Sequence, residues 1–89
     1  MIKKKVSIIN KLGLHARAAA KLTKCACEFS SSVQIGYAQR EIDAKSIMSV
    51  MMLAAAQGAE IEISCEGTDE EAAMQSLEAL INNRFDEDE

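Results

Sequence analysis

The stretch NKLGLHARAAAKLTK, residues 10–24, marks the point where a strand pattern gives way to a helix pattern. Before it, the run VSII at residues 6–9, in which three of the four residues are β-branched, predicts the end of a β-strand. After it, apolar residues recur at helical spacing, at Ala18, Leu22, Cys25, Ala26 and Phe29. Gly13 supplies backbone freedom for the turn between them. The only histidine, His15, is therefore expected at or next to the N-cap of the helix.

This junction has the groups that a phosphate site needs. The first backbone N–H groups of a helix, here at Ala16, Arg17 and Ala18, lack partners within the helix and carry partial positive charge, so they suit phosphate. The guanidinium of Arg17 adds a donor fork that matches phosphate geometry. A neutral imidazole at His15 can act as a nucleophile. Two plainer interpretations stay open: His15 only caps the helix, and Arg17 is a solvated surface residue.

Two sequence blocks carry a family resemblance. GLHAR, residues 13–17, resembles the active-site signature of HPr, the histidine phosphocarrier family of the bacterial phosphotransferase system, and KSIMSVMML, residues 45–53, resembles the second signature of that family. The blocks are correctly ordered and spaced, and the resemblance covers essentially the whole chain. One departure is Ala18, where most members have proline; some Gram-negative relatives also have a small residue there.

The resemblance implies specific roles. It implies that His15 accepts a phosphoryl group on Nδ1 from enzyme I and passes it to a IIA-type domain, with Arg17 stabilising the phosphate. It also implies regulatory phosphorylation of Ser46 by an HPr kinase/phosphorylase; as an alternative or in addition, Ser46 is simply the N-cap of the second helix. Docking of both protein partners is expected on a face of the first two helices that includes Ala20, Lys24, Ile47, Met48 and Met51.

Other functions compete with the phosphocarrier. One is a regulatory binding module of the same fold that acts through Ser46, although such regulators lack the histidine. A small metal- or thiol-dependent enzyme is another, but its ligands and bases are missing. Within the phosphocarrier class, sugar uptake and a nitrogen-branch, NPr-like role both remain open, because the ending RFDED at residues 84–88 looks like Gram-negative forms of both.

The hydrophobic periodicity predicts the order β-α-β-β-α-β-α. Strands are expected at about 4–9, 33–37, 40–43 and 60–66. The first helix is expected at about 16–28, and the second begins at Lys45-Ser46 and ends at a C-cap, Gly58. The third begins at a capping box formed by Thr68 and Glu71 and ends at about residue 83. A sheet covered by helices on one face makes an open-faced two-layer α/β sandwich. The resemblance to HPr implies that its four strands are antiparallel and that three helices cover them.

Composition limits the remaining possibilities. The 89 residues allow one small domain, residues 1–89. The net charge is −4, and four of the 14 acidic residues form the tail at residues 86–89, expected to be solvated. Without this tail the acidic and basic residues are equal in number, and aromatic residues are scarce. Both features argue against nucleic-acid binding. No zinc-ligand set assembles from one histidine and Cys25, Cys27 and Cys65, and no cofactor is implied. Without a signal peptide or a membrane span, a cytoplasmic protein with reduced thiols is expected.

Overall fold

The computed structural model covers residues 1–89 and contains one four-stranded sheet, three α-helices and a short 3₁₀ turn. The elements are β1 (Ile2–Ser7), α1 (Ala16–Cys27), β2 (Ser32–Tyr37), β3 (Arg40–Asp43), α2 (Ile47–Met52), β4 (Glu60–Glu66), α3 (Glu70–Asn82) and the turn Arg84–Asp86. All pairings are antiparallel, in the order β1-β4-β2-β3. The predicted order of elements and the open-faced sandwich are confirmed.

The core lies between the helices and one face of the sheet. Ile61, Ile63 and Cys65 alternate along β4, as predicted, and are fully buried. They lie beside Val33 and Ile35 of β2, and α3 packs over β1 and β4. Aliphatic residues build most of this core, and Phe85 is the one aromatic side chain that is fully buried.

The opposite face of β4 is less exposed to solvent than the alternation predicts. Ser64 is buried, because β4 is a central strand and Ser64 lies between Lys3 of β1 and Gln34 of β2. Long polar side chains on neighbouring strands can cover a small residue between them. Glu60 and Glu66, at the two ends of the strand, are exposed as expected.

The first strand begins and ends two residues earlier than predicted. Ile8 is fully buried, but its N–H donates to the carbonyl of Ala59 (2.8 Å) and its own carbonyl accepts from Gly58 (2.7 Å). These bonds go to the loop before β4 and not to a strand ladder. An apolar, β-branched residue therefore lies outside the strand while it still contributes to the core.

The predicted C-cap of the second helix at Gly58 is wrong. The helix α2 ends at Met52 with Leu53 as C-cap, and Ala54 takes the left-handed backbone conformation (φ 53°). Residues 53–59 form a loop in which the carbonyl of Ala55 accepts a hydrogen bond from Leu14 (2.9 Å). The loop is held by backbone bonds to the turn before α1, and Gly58 belongs to its other end.

The predicted capping box of Thr68 and Glu71 is also wrong. Asp69 is the N-cap of α3, and its side chain makes no capping bond. The carboxylate instead accepts hydrogen bonds from the backbone N–H groups of Ser30 (2.9 Å) and Ser31 (2.9 Å). One residue earlier than predicted, Glu70 accepts from the N–H of Gly67 (3.1 Å). A tertiary contact has thus replaced a local one.

Candidate functional site

His15 is the N-cap residue of α1, as predicted, but its side chain does not cap the helix. Its backbone is extended (φ −71°, ψ 177°), and the imidazole makes no hydrogen bond to the first turn. Gly13, at φ +66°, turns the chain into this position, and the buried Leu14 anchors it. The plainer interpretation of His15 as a side-chain cap therefore does not describe this structure.

The start of α1 presents unsatisfied donors beside the imidazole. The N–H groups of Ala16, Arg17 and Ala18 donate no hydrogen bond to any backbone or side-chain acceptor, and the first bond of the helix runs from Ala19 to the carbonyl of His15 (2.8 Å). No acidic residue lies in this first turn. Three free donors and the positive end of the helix dipole thus meet at one place, which favours an anion.

Arg17 lies in the same first turn and is exposed. Its guanidinium takes part in no ion pair and no hydrogen bond within the chain. It lines an open depression together with Lys11, Leu12, His15 and Ala16, and the acidic Glu87, Asp88 and Glu89 line the other part of it. An unpaired guanidinium beside free N–H groups can bind phosphate oxygens without first breaking another contact.

Glu87 is the site residue that sequence reasoning missed. Its carboxylate contacts Nε2 of His15 through Oε2, and its other oxygen accepts a hydrogen bond from Nδ2 of Asn10 (3.0 Å). The side chain is 15% exposed, so the tail is not uniformly solvated as expected. Burial raises the pKa of the Glu87 carboxyl, but the hydrogen bonds from His15 and Asn10 outweigh it and hold that pKa below its ordinary value.

The segment that carries Glu87 is anchored to the body of the protein. Phe85 is fully buried, and its carbonyl accepts a hydrogen bond from Nζ of Lys21 (2.8 Å). Further along, the backbone N–H of Lys11 donates to the carbonyl of Glu89 (2.6 Å). The one large apolar residue in an otherwise charged ending was the signal for this anchoring, because a buried phenylalanine outweighs the tendency of acids to remain in water.

Ser46 is the N-cap of α2, as predicted. Its hydroxyl accepts a hydrogen bond from the N–H of Ser49, at a long donor–acceptor distance of 3.4 Å. The side chain is half-buried. The structure therefore gives Ser46 a capping role, and its regulatory role stays a prediction.

The residues expected to dock partners lie on the surfaces of two helices that pack together, α1 and α2. Ala20 and Lys24 are exposed on α1, and Ile47, Met48 and Met51 are exposed on α2 by 38%, 65% and 38%. Val50 alone is buried within α2, so the helix is not buried all round. Leu12 and Met52 are also large exposed apolar residues.

The remaining reactive groups do not assemble into a second site. Cys25, Cys27 and Cys65 are all free thiols, and burial raises the pKa of Cys25 and Cys65. No three histidine, cysteine or acidic side chains are grouped so that they could hold a metal ion. None of the helices has the length and apolar character to cross a membrane.

Comparison with known proteins agrees with this geometry. Residues 2–83 match the family model described as "PTS HPr component phosphorylation site". A phosphocarrier protein HPr of Cupriavidus necator is 54% identical over 89 residues, which covers 100% of both chains. A crystal structure of HPr-C-His from Thermoanaerobacter tengcongensis is 40% identical, with a TM-score of 0.96 and full coverage of both chains. The catabolite repression protein Crh of Bacillus subtilis is 36% identical, covers 94% of this chain and 97% of its own, and has a TM-score of 0.75. The family match over nearly the whole chain, the identity to a full-length relative and the shared fold together show that the chain belongs to the HPr family of phosphocarrier proteins of the phosphotransferase system.

Proposed function

We propose that His15 is the residue that carries the phosphoryl group, accepting it from phosphorylated enzyme I and passing it to a IIA-type domain. The observation that supports this best is the surrounding of the imidazole: one ring nitrogen without a partner, three free N–H groups and an unpaired guanidinium. In-line phosphoryl transfer depends on positioning and on stabilised charge, and these groups supply both.

The chemical step is a displacement at phosphorus. The lone pair of a neutral ring nitrogen of His15 forms a bond to phosphorus, while the bond between phosphorus and the donor group of enzyme I breaks. The electron pair of that broken bond stays on the donor. The guanidinium of Arg17 and the N–H groups at the start of α1 bind the phosphoryl oxygens, whose negative charge they offset. Transfer to the IIA domain is the same displacement with His15 as the leaving group, so the chain is a relay and not a free-standing enzyme.

The docking face is part of this proposal. Enzyme I and a IIA domain both have to reach His15, and the exposed Ala20, Lys24, Ile47, Met48 and Met51 lie on the two helices next to one another. Exposed methionine is adaptable, which suits a surface that docks more than one protein. We place the protein and its partners in the cytoplasm, where the relay of this family works. Whether it supplies a sugar or a nitrogen branch stays open.

Ser46 supports a second candidate, regulation by an HPr kinase/phosphorylase. Its half-buried hydroxyl opens α2, which carries three of the proposed docking residues, so a phosphate there would lie next to the docking face. The alternative function is a regulatory module of the same fold that acts only through Ser46, and the likeness to Crh, a catabolite repression protein, is the comparison that favours a regulatory role. The presence of His15 with free donors beside it favours the phosphocarrier.

Labelling tests the proposal. Incubation with enzyme I and radiolabelled phosphoenolpyruvate should yield an adduct on the protein that is labile in acid and stable in base. His15→Ala should abolish labelling while its circular dichroism spectrum stays that of the wild type. Ser46→Ala serves as the matched control and should still be labelled. If folded His15→Ala retains the label, the assignment of His15 is wrong.

A further inference from the structure

The contact between Glu87 and His15 leaves one particular ring nitrogen free. Oε2 of Glu87 lies against Nε2 of His15, whereas Nδ1 makes no hydrogen bond. Among buried side-chain nitrogen and oxygen atoms, only Oδ1 of Asn10 lacks a hydrogen-bond partner. Nδ1 of His15 also lacks a partner and is not among these buried atoms, so it is accessible at the surface. The ring therefore has one nitrogen directed at the protein and the other open to an incoming group.

Glu87 is itself held in place from within the fold. Nδ2 of Asn10 donates to Oε1 of Glu87 (3.0 Å) and to the carbonyl of Gly13 (2.8 Å). Asn10 is fully buried, which fixes its amide. Nδ2 thus joins the turn before α1 to the carboxylate, and the carboxylate joins the imidazole. A histidine whose orientation is set by a carboxylate that is itself hydrogen-bonded recurs in catalytic sites.

The chemistry of the carboxylate selects the tautomer. Hydrogen bonds hold the pKa of Glu87 below its ordinary value, so the group is ionised and can only accept hydrogen bonds. The proton of a neutral His15 ring must then be on Nε2, and the lone pair must be on Nδ1. The neighbouring acids do not share this role: Asp86 accepts from Nδ2 of Asn83 (2.7 Å), and Glu89 pairs with Lys11 (3.2 Å).

We propose that Glu87 is a positioning residue for phosphoryl transfer, which holds His15 with the proton on Nε2 so that the lone pair of Nδ1 meets the donor. This inference rests on the proposed function of His15. When Nδ1 forms its bond to phosphorus, the ring keeps the Nε2 proton and becomes positively charged, and no proton has to leave. The carboxylate of Glu87 stabilises that charge. When the group moves on, the Nδ1–phosphorus bond breaks and its electron pair returns to Nδ1.

The first test reads the tautomer directly and needs no partner protein. The ring-nitrogen chemical shifts of ¹⁵N-histidine-labelled protein, measured with the imidazole in its neutral form, report which nitrogen carries the proton. The wild type should hold its neutral ring almost wholly in the Nε2–H form. Glu87→Gln, whose amide can donate as well as accept, should show a measurable Nδ1–H fraction. Glu66→Gln makes the same substitution at an exposed glutamate at the far end of β4, outside the depression that His15 lines, and should match the wild type.

The second test measures transfer from enzyme I on the same three proteins and on a fourth, Glu87→Asp. Glu87→Gln should accept phosphate roughly tenfold to a hundredfold more slowly than the wild type, the range expected for loss of a charge-assisted hydrogen bond, and Glu87→Asp should recover part of the rate. Identical ring-nitrogen shifts in the wild type and Glu87→Gln, or equal transfer rates for Glu87→Gln and Glu66→Gln, would overturn the role of Glu87. Absence of label on His15 with a changed tautomer would instead refute only the proposed function.

Discussion

Gly13 and Ala55 meet so closely that a Cβ atom on Gly13 would lie 2.6 Å from the carbonyl oxygen of Ala55. The same carbonyl accepts the hydrogen bond of Leu14 (2.9 Å), so the loop after α2 holds the turn that presents His15. Gly13 also has a left-handed backbone (φ +66°). Two independent constraints thus exclude a side chain at this position.

Gly13→Ala should therefore destabilise the protein by more than the roughly 1–2 kcal/mol that a left-handed conformation costs alone. Gly58→Ala is the matched control, since Gly58 also has a positive φ but its Cβ would meet no atom within 4 Å. Urea unfolding of both variants measures the difference. An equal loss of stability in the two would show that the approach of Ala55 imposes no penalty.

Arg17→Ala should slow phosphoryl transfer by on the order of a hundredfold, as removal of a preorganised charge donor does in other sites. Because the guanidinium is exposed and makes no hydrogen bond or ion pair within the chain, the free energy of unfolding should change by less than about 0.5 kcal/mol. Arg17→Lys keeps the positive charge but loses the forked donor geometry. Its transfer rate should lie between the rates of the wild type and of Arg17→Ala. A large drop in melting temperature with normal transfer would assign Arg17 to the fold.

Ala18→Pro should be tolerated or stabilise the protein by about 0.4–1 kcal/mol. The N–H of Ala18 donates no hydrogen bond, so proline removes none, and it restricts the unfolded chain. Ala20→Pro, in the helix interior, should instead cost about 3 kcal/mol or more. Thermal unfolding of both variants provides the measurement. Clear destabilisation by Ala18→Pro would mean that the buried surroundings of Ala18 have no room for the ring.

Ser46→Ala should cost about 0.5–2 kcal/mol of stability, towards the lower value because the capping bond is long (3.4 Å), and Ser46→Asp should largely keep the cap. If Ser46 also regulates docking, Ser46→Asp should accept phosphate from enzyme I more slowly, since an anion beside Ile47 and Met48 adds a desolvation cost to binding. Melting curves and transfer rates on the wild type and both variants are required. Equal rates for the wild type and Ser46→Asp would leave Ser46 as a cap alone.

The hydrogen bonds from the side chain of Ser31 and the backbone of Ser30 lower the pKa of Asp69 from 3.8 to about 2. Because the folded state holds the carboxylate ionised, its stabilising effect is fully present above the unfolded-state value and is lost as the pH falls from about 4 towards 2. Asp69→Asn should therefore be less stable than the wild type at pH 7. The difference in the free energy of unfolding between the two proteins should become smaller as the pH falls through that acid range. Asp88→Asn, scanned in parallel, should show no such narrowing.

The parts of the fold that follow from local pattern were predictable. The helix start at His15, the strand β4 and the cap at Ser46 each depend on residues close together in sequence. The incorrect boundaries, at Gly58 and at Thr68, were set by contacts between distant segments. The carboxylate of Asp69 accepts a hydrogen bond from Ser31 and makes none within its own helix. Residues 53–59 form a loop that is hydrogen-bonded to the turn at Leu14.

The candidate site divides in the same way. His15 and Arg17 lie two positions apart and carry a recognisable motif, whereas Glu87 reaches the imidazole only because Phe85 is buried and three consecutive residues, Arg84 to Asp86, take left-handed backbone angles. Non-glycine residues seldom adopt that conformation. No composition rule for an acidic ending predicts it, since the conformation comes from the packing of one side chain into the core.

The pairing of β1 with β4, and of His15 with a residue 72 positions later, has a consequence for biosynthesis. A chain that the ribosome has extended only through β3 already carries His15 and Arg17, but it lacks the strand to which both β1 and β2 pair. Contacts between distant segments delay folding. The sheet, and with it the carboxylate that contacts the imidazole, can therefore be completed only after β4 and residue 87 have been synthesised.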